Sequence, residues 1–325
     1  MEIIVDKKRF ALIGAAGYIA PRHMKAIMQT ENDLVAALDP YDGIGIMDSH
    51  FPQASFFTEF ERFDRFIDKY HRENEKKIDY VGICSPNYLH DSHIRFALKS
   101  GCEAICEKPL VLNPHNLDQL KTIEKETGKK VNTILQLRLH PSIIALKEKV
   151  SYELEKNPNK IYDIDLTYLT SRGKWYFVSW KGDEDKSGGI ASNIGVHFYD
   201  MLSWIFGEVK ENVVHVKRPD ANAGMLKLKN ANVRWFLSVN YDFIPNEIKA
   251  QGQTTFRSIT IEGEEIEFSG GFKDLHTRSY EEILKDNGFG LDDAYGSIDI
   301  VSQIRNITPI GLSGEYHPFC KKITQ

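Results

Sequence analysis

The sequence predicts an α/β protein of two parts: a doubly wound parallel sheet first, then an α+β domain with a large, mostly antiparallel open sheet. Three observations carry this. Up to residue 135, apolar runs alternate with amphipathic stretches, as strands and helices do in a parallel sheet covered on both faces. From Ile161 onwards, strand-like segments follow one another with little helix between them, which suits antiparallel pairing with one exposed face. The chain has 325 residues, 42% of them hydrophobic and 27% charged, enough for two cores. We divide it into residues 1–135 and 136–325.

The formal net charge of -5 gives no footprint for nucleic acid, although a local cationic pocket can still take an anionic substrate. No run of 18 apolar residues could cross a membrane, and the charged start, Met1 to Arg9, lacks a signal-peptide apolar segment. The four cysteines, Cys84, Cys102, Cys106 and Cys320, show no paired metal spacing. They read as reduced thiols of a cytoplasmic protein, and no metal site is expected.

Taken in order, Phe10–Gly14 is a strand that ends in glycine. Gly14-Ala15-Ala16-Gly17-Tyr18-Ile19-Ala20 forms a turn, and residues 21–30 form a helix. Such a turn lets backbone approach a pyrophosphate at a helix N-terminus; Ala16 stands where the second glycine of the usual pattern would be. The next strand, Leu34–Leu38, ends in Asp39, about 20 residues beyond the turn, where an acid takes the ribose hydroxyls of NAD and repels the extra phosphate of NADP. The cofactor expected is NAD; a capped turn before Pro40 would use the same residue. Residues 62–77 form a helix and 78–84 a buried strand. The loop after that strand carries Ser85, Asn87 and His90, placed to face a cofactor; His90 would equally suit a helix cap. Residues 91–100 are helical, and 102–106 form a strand.

Glu107-Lys108-Pro109 closes that strand. A lysine is rarely buried without a partner. Glu107 can hold it or tune it, and Pro109 stiffens the turn, with a cis Lys108–Pro109 bond open to it. The place is where α/β sheets bind ligands; a solvated strand end is the plainer reading. A helix over 114–127 and a strand over 131–135 complete the first part, and Gln136, Arg138 and His140 follow.

In the second part, 161–170, 212–217, 224–228, 233–241, 258–262 and 265–268 read as strands, with a hairpin turn at Glu262-Gly263-Glu264 and a flexible excursion over 241–252. Gly188 opens a stretch in which Asn193, His197 and Asp200 fall at i, i+4 and i+7, one face of a helix. An imidazole between an amide and a carboxylate suits general acid–base work near neutral pH; a satisfied buried histidine is the alternative. Arg172, Trp175 and Tyr176, like Gln136 and Arg138, suit an anionic, ring-bearing substrate, because arginine grips carboxylates and phosphates and aromatic planes stack on rings. A late helix begins at His276-Thr-Arg-Ser-Tyr280, with no role assigned.

Together these stretches resemble the glucose–fructose oxidoreductase / inositol dehydrogenase (Gfo/Idh/MocA) family along essentially the whole chain. The matching elements are the turn at Gly14, Ser85-Pro-Asn87 with His90, Glu107-Lys108-Pro109, and Gly188-Gly189 leading to Gly195-x-His197-x-x-Asp200. Asn193 stands where many members carry aspartate, and an amide cannot act as a base. A narrower resemblance, through Gly14–His23, Ile134–Arg138, Thr170–Tyr176 and Asn193–Asp200, is to members that oxidise the 3-hydroxyl of UDP-N-acetylglucosaminuronic acid. It implies a Rossmann domain with NAD, a UDP-sugar substrate, a place in lipopolysaccharide (O-antigen) sugar synthesis, reoxidation of NADH by 2-oxoglutarate, and a homotetramer. It also implies that Gly14, Ala16, Gly17, Tyr18, Ile19, Asp39, Ser85, Asn87, His90, Glu107 and Lys108 hold the cofactor. Gln136, Arg138, Arg172, Trp175, Tyr176, Asn193 and His197 would hold the sugar. Lys108 and His197 are the catalytic pair, and the residues leave open which is the base. A dehydrogenase of another sugar or polyol, or a non-catalytic NAD-binding sensor, would share much of this pattern.

Overall fold

The computed structural model describes residues 7–266 and 274–323, which form two compact units. The first holds residues 7–111, 115–136 and 274–294; the second holds 112–114, 137–266 and 295–323. The division differs from a single cut after residue 135 chiefly because 274–294 returns to the first unit. The physical reason is apolar: Tyr280 and Ile283 are buried in the first unit's core beside Phe10, Leu12 and Met24. Phe10 stacks on Tyr80 at 5.0 Å and on Tyr280 at 5.7 Å.

The first unit is a six-stranded sheet of β1 (Arg9–Ile13), β2 (Asp33–Leu38), β3 (Ser55–Phe57), β4 (Tyr80–Ile83), β5 (Glu103–Cys106) and β6 (Val131–Thr133). Its order is β3-β2-β1-β4-β5-β6, and every pair is parallel. The order reverses between β1 and β4, the switch point at which doubly wound sheets bind ligands. Helices α1 (Ala20–Gln29), α2 (Phe60–Glu73), α3 (His90–Lys99) and α4 (Pro114–Thr127) connect the strands. The strands are buried almost throughout, which is why they read as apolar runs rather than alternating ones.

The second unit begins with α5 (Pro141–Lys156) and β7 (Tyr162–Thr170), followed by short helices α6 (Trp175–Val178) and α7 (Glu184–Ser187) and the longer α8 (Val196–Phe206). Strands β8 (Val209–Lys217), β9 (Ala221–Leu228) and β10 (Ala231–Ser238), helix α9 (Asn246–Ala250), and strands β11 (Thr255–Ile261) and β12 (Glu264–Glu265) complete its sheet. The order is β12-β11-β7-β10-β9-β8. Pairing is antiparallel except between β7 and β10, which run parallel from Tyr162 opposite Ala231 to Leu169 opposite Ser238. Helix α10 (Leu275–Leu284), in the first unit, and α11 (Leu291–Asn306) follow, and a 3-10 turn (Pro318–Lys322) comes after them.

One face of this sheet packs Trp235, Val233 and Leu237 against Tyr199, Met201 and Leu202 of α8. The other face is not bare: Leu169, Ala221, Ala223 and Phe236 pack with Phe243, Ile244 and Cys320. The segment expected as a flexible excursion over 241–252 is therefore anchored, as a 3-10 turn (Tyr241–Phe243) and α9. Glu262 and Gly263 both lie in the left-handed region, at φ 53° and 80°, as a two-residue hairpin turn requires. The strand expected over 265–268 lies partly outside the described residues. All four cysteines are free thiols.

Two buried histidines make stability depend on pH. His93 meets the Ser85 hydroxyl at 2.9 Å. His317 meets the Thr167 hydroxyl at 3.0 Å and accepts from the Phe319 amide. Burial pushes each down to about 4. The unfolded chain then binds protons that the folded one refuses, so stability is complete above about pH 6.5 and falls as pH drops towards 4, by on the order of 3 kcal/mol per histidine. We expect the urea midpoint to fall between pH 7 and pH 4.5, and to fall less in His317→Asn. A midpoint with the same pH dependence in both proteins would contradict this.

Candidate active site

In the first unit, β1 delivers the chain to Gly14, whose φ is 87°. A Cβ there would lie 2.6 Å from backbone atoms of Cys84 and Ser85, so the turn passes against the end of β4 in a way only glycine allows. The Gly17 amide donates to the Gly14 carbonyl at 3.0 Å and closes the turn. Asp39, buried at the end of β2, accepts from the Ala16 amide at 2.9 Å with one oxygen and from the Tyr41 amide at 2.9 Å with the other. A carboxylate has about four acceptor sites, so lone pairs remain for ribose hydroxyls. Helix α1 opens with no side-chain cap, which leaves its N-terminus as an anion site. Tyr18 is exposed, and Ala16, Gly17 and Ile19 are half-buried.

These residues fit a dinucleotide. Gly14→Ala should place a methyl group into the Cys84–Ser85 backbone and abolish tight NAD binding. We expect NAD affinity, read by fluorescence titration, to fall at least about 100-fold, the scale of a close-approach position lost. Wild-type affinity in this variant would contradict the assignment.

Beyond β4, Ser85, Asn87 and His90 are all buried. The His90 ring lies 2.8 Å from the Pro109 carbonyl through Nδ1 and 2.8 Å from the Ser85 carbonyl through Nε2. His90 thus ties the loops after β4 and β5 to each other. Lys108 is half-buried, and its peptide bond to Pro109 is cis. Glu107, expected to hold the lysine, is buried, and its carboxylate meets two histidines. Its Oε1 faces His23 Nε2 at 3.0 Å and His276 Nε2 at 2.8 Å, and its Oε2 accepts from the Lys108 amide at 3.3 Å. Burial raises the Glu107 pKa, yet the hydrogen bonds from His23 and His276 win and hold the carboxyl well below its usual range. His23 Nδ1 in turn lies 2.8 Å from the Tyr280 hydroxyl. Burial lowers the His23 pKa.

In the second unit, the face expected to carry Asn193, His197 and Asp200 is not one regular helix. Ala191–Gly195 is a π-helical turn that runs directly into α8, a feature frequent at functional sites. Asn193 Nδ2 donates to the hydroxyl of the buried Tyr176 at 3.0 Å. Asp200 accepts from Arg138 Nε at 3.0 Å and Nη2 at 2.8 Å, both residues being buried. That edge of Arg138 is therefore taken by a carboxylate of the chain itself, and its guanidinium lies 5.7 Å from the Trp204 ring. His197 is half-buried, as is Gln136 at the end of the first unit's 115–136 segment. Arg172 is half-buried on the loop after β7, and Trp175 beside it is 53% exposed.

His23, His276 and Tyr280 had no role from sequence. The late helix that opens at His276 was visible, and His276 and Tyr280 stand four residues apart on one face of α10; what they meet was not.

A glycine turn on a β3-β2-β1-β4-β5-β6 sheet, with a carboxylate after β2, defines the class: a nicotinamide-dinucleotide-binding oxidoreductase with a separate α/β domain. The chain belongs to the GFO_IDH_MocA oxidoreductase family. Its NAD-binding Rossmann-fold model matches residues 8–134, and its C-terminal alpha/beta domain model matches residues 159–247. Among solved structures, the WlbA (WbpB) dehydrogenase of Thermus thermophilus in complex with NAD and UDP-GlcNAcA is 49% identical. That likeness covers 96% of this chain and 99% of the other, with a TM-score of 0.91. A second structure of the Thermus enzyme, with NAD and alpha-ketoglutarate, is 50% identical over the same shares, also at 0.91. D-Glucoside 3-dehydrogenase of Escherichia coli is 26% identical over 200 residues, 61% of this chain and 54% of that protein. The chain thus spans about half the length of that curated relative.

Proposed function

We propose that the protein oxidises the 3-hydroxyl of UDP-N-acetylglucosaminuronic acid to the 3-keto sugar, with NAD as oxidant and 2-oxoglutarate as the means of recycling it. The observation that carries this reading is the likeness at 49% identity, over 96% of the chain, to a dehydrogenase solved with NAD and that sugar nucleotide. The alpha-ketoglutarate complex of the same enzyme supports the recycling.

Gly14 to Ile19 would hold the pyrophosphate and Asp39 the ribose, with Ser85, Asn87, His90 and Glu107 shaping the loops around them. When bound, NAD supplies the acceptor for the hydride that leaves the sugar carbon, and 2-oxoglutarate takes that hydride in turn. Lys108 and His197 are the two acid–base groups of the proposed reaction. In the assignment we favour, the His197 imidazole takes the hydroxyl proton. Lys108 donates a hydrogen bond to the same oxygen and offsets the negative charge that develops on it. Asn193, held by Tyr176, fixes an amide for the sugar, and Gln136, Arg138, Arg172 and Trp175 are assigned to its anionic and ring groups. We further assign the enzyme to the cytoplasm, as a homotetramer, in the synthesis of surface lipopolysaccharide sugars. Among the described residues, no helix is long and apolar enough to cross a membrane.

The test is isotopic. With deuterium at the sugar's C3, the reduced cofactor should gain one mass unit. Deuterium that stays on the sugar while the cofactor is reduced would place the oxidation at another carbon.

A further inference from the structure

We propose that Lys108 is aimed by a bracket of three buried histidines. His23 and His276 hold Glu107 on one side of the loop, and His90 holds Pro109 on the other. The inference deepens the reading above and rests on it for the role of Lys108.

The three come from three helices. His23 sits in α1 and His276 in α10, both buried, and both address the same oxygen of Glu107. That carboxylate can accept from both, and its other oxygen accepts from the Lys108 amide at 3.3 Å. Its rotamer is therefore fixed at three points, and the backbone from which Lys108 springs is fixed with it. The chain continues from Tyr280, at 2.8 Å from His23 Nδ1. With Tyr280 donating to Nδ1, His23 carries its proton on Nε2 and donates to Glu107 as a neutral ring, the form that its burial favours. On the other side, whichever nitrogen of His90 bears the proton, it donates to a carbonyl, of Pro109 or of Ser85, at 2.8 Å. Lys108 thus lies between a carboxylate that meets two buried rings and a proline carbonyl 2.8 Å from a third, bonded to it when Nδ1 bears the proton. A catalytic group gains from support of this kind, because a displacement of about 1 Å can cost roughly 100-fold in rate.

His23, His276 and Glu107 are also, among the described residues, a compact set of the types that bind a divalent cation. Their ring nitrogens already stand at hydrogen-bond distance from one carboxylate oxygen, so the bracket is complete without an ion. Positioning, rather than metal binding, is the role assigned here.

His276→Phe removes the donor and keeps a ring; His276→Gln keeps a donor at about the reach of Nε2. We expect kcat to fall about 30-fold or more in His276→Phe, with sugar KM and NAD affinity within about threefold of wild type, and His276→Gln to recover most of kcat. A second readout needs no substrate. In protein reductively methylated with carbon-13 formaldehyde, the Lys108 resonance, assigned by its loss in Lys108→Met, should be sharp in wild type and His276→Gln. In His276→Phe it should be broadened or displaced. An unmoved resonance in a folded His276→Phe protein overturns the bracket whether or not the protein oxidises the sugar nucleotide. A moved resonance in a protein inert towards every sugar upholds the bracket and overturns only the reaction. If His276→Phe does not fold, His276→Gln and His276→Asn decide: Gln reaches as Nε2 does and Asn does not, so equal spectra would overturn the proposal. Stoichiometric zinc or another divalent ion in the purified protein, with melting lowered by EDTA, would overturn it as well.

Discussion

Lys108→Met is expected to lower turnover by about three orders of magnitude while leaving NAD bound within about threefold of wild-type affinity. The expectation follows from where Lys108 stands. It is half-buried directly after β5, beside the switch point of the sheet, and the residues on either side of it are tied down. Methionine keeps most of the stem and deletes the ammonium. Gly14 and Asp39, the groups proposed to hold NAD, are bound to other parts of the chain, so cofactor affinity should survive. Stopped-flow measurement of cofactor reduction, with NAD binding followed separately, checks both halves. Turnover near that of the wild type would remove Lys108 from the chemistry.

Arg138→Met should be the costliest change to stability in the second unit. Arg138 and Asp200 have side-chain exposures of 7% and 2%, and two hydrogen bonds of 3.0 and 2.8 Å join them. Breaking a buried ion pair by removing one of its members costs on the order of 3–5 kcal/mol. Removing both charges is different, because two apolar side chains of similar volume can pack where the pair was. We therefore expect Arg138→Met to lower the urea midpoint sharply, and Arg138→Met with Asp200→Leu to recover much of the loss. A double variant as unstable as the single one would show that Arg138 acts through its packing on Trp204 rather than through Asp200.

The parts of this molecule that the sequence displays are those whose cause is local. Strand and helix periods are local, so the alternation of the first half reads correctly. Gly14 is required by its own φ and by the backbone beside it, and Asp39 directly follows the next strand. Glu107, Lys108 and Pro109 stand out because two charges and a ring follow Ala104-Ile105-Cys106 without a gap. What the sequence conceals is set by distant partners. Glu107 reads, from its neighbours, as belonging to Lys108; its carboxylate also meets histidines 84 and 169 residues away. Asp200 reads as a neighbour of His197, three residues before it; that it also binds Arg138, 62 residues away, no local pattern tells. The π-helical turn at Ala191–Gly195 changes the spacing on which a helical-face argument depends, and no composition signal announces it. The 241–252 excursion looked mobile because it is polar at both ends; Phe243 and Ile244 anchor it in a core that only the folded sheet creates.

In the function proposed, this chain draws hydride from a UDP-linked uronic acid and not from a free sugar. The direct measurement is the near-ultraviolet absorbance of reduced nicotinamide in purified protein given UDP-N-acetylglucosaminuronic acid, with and without 2-oxoglutarate, beside free glucose and inositol. We expect a rise with the sugar nucleotide alone, or sustained formation of keto sugar and 2-hydroxyglutarate when the oxoacid is added, and no response to the free sugars. Oxidation of free glucose or inositol, with the sugar nucleotide inert, would contradict it.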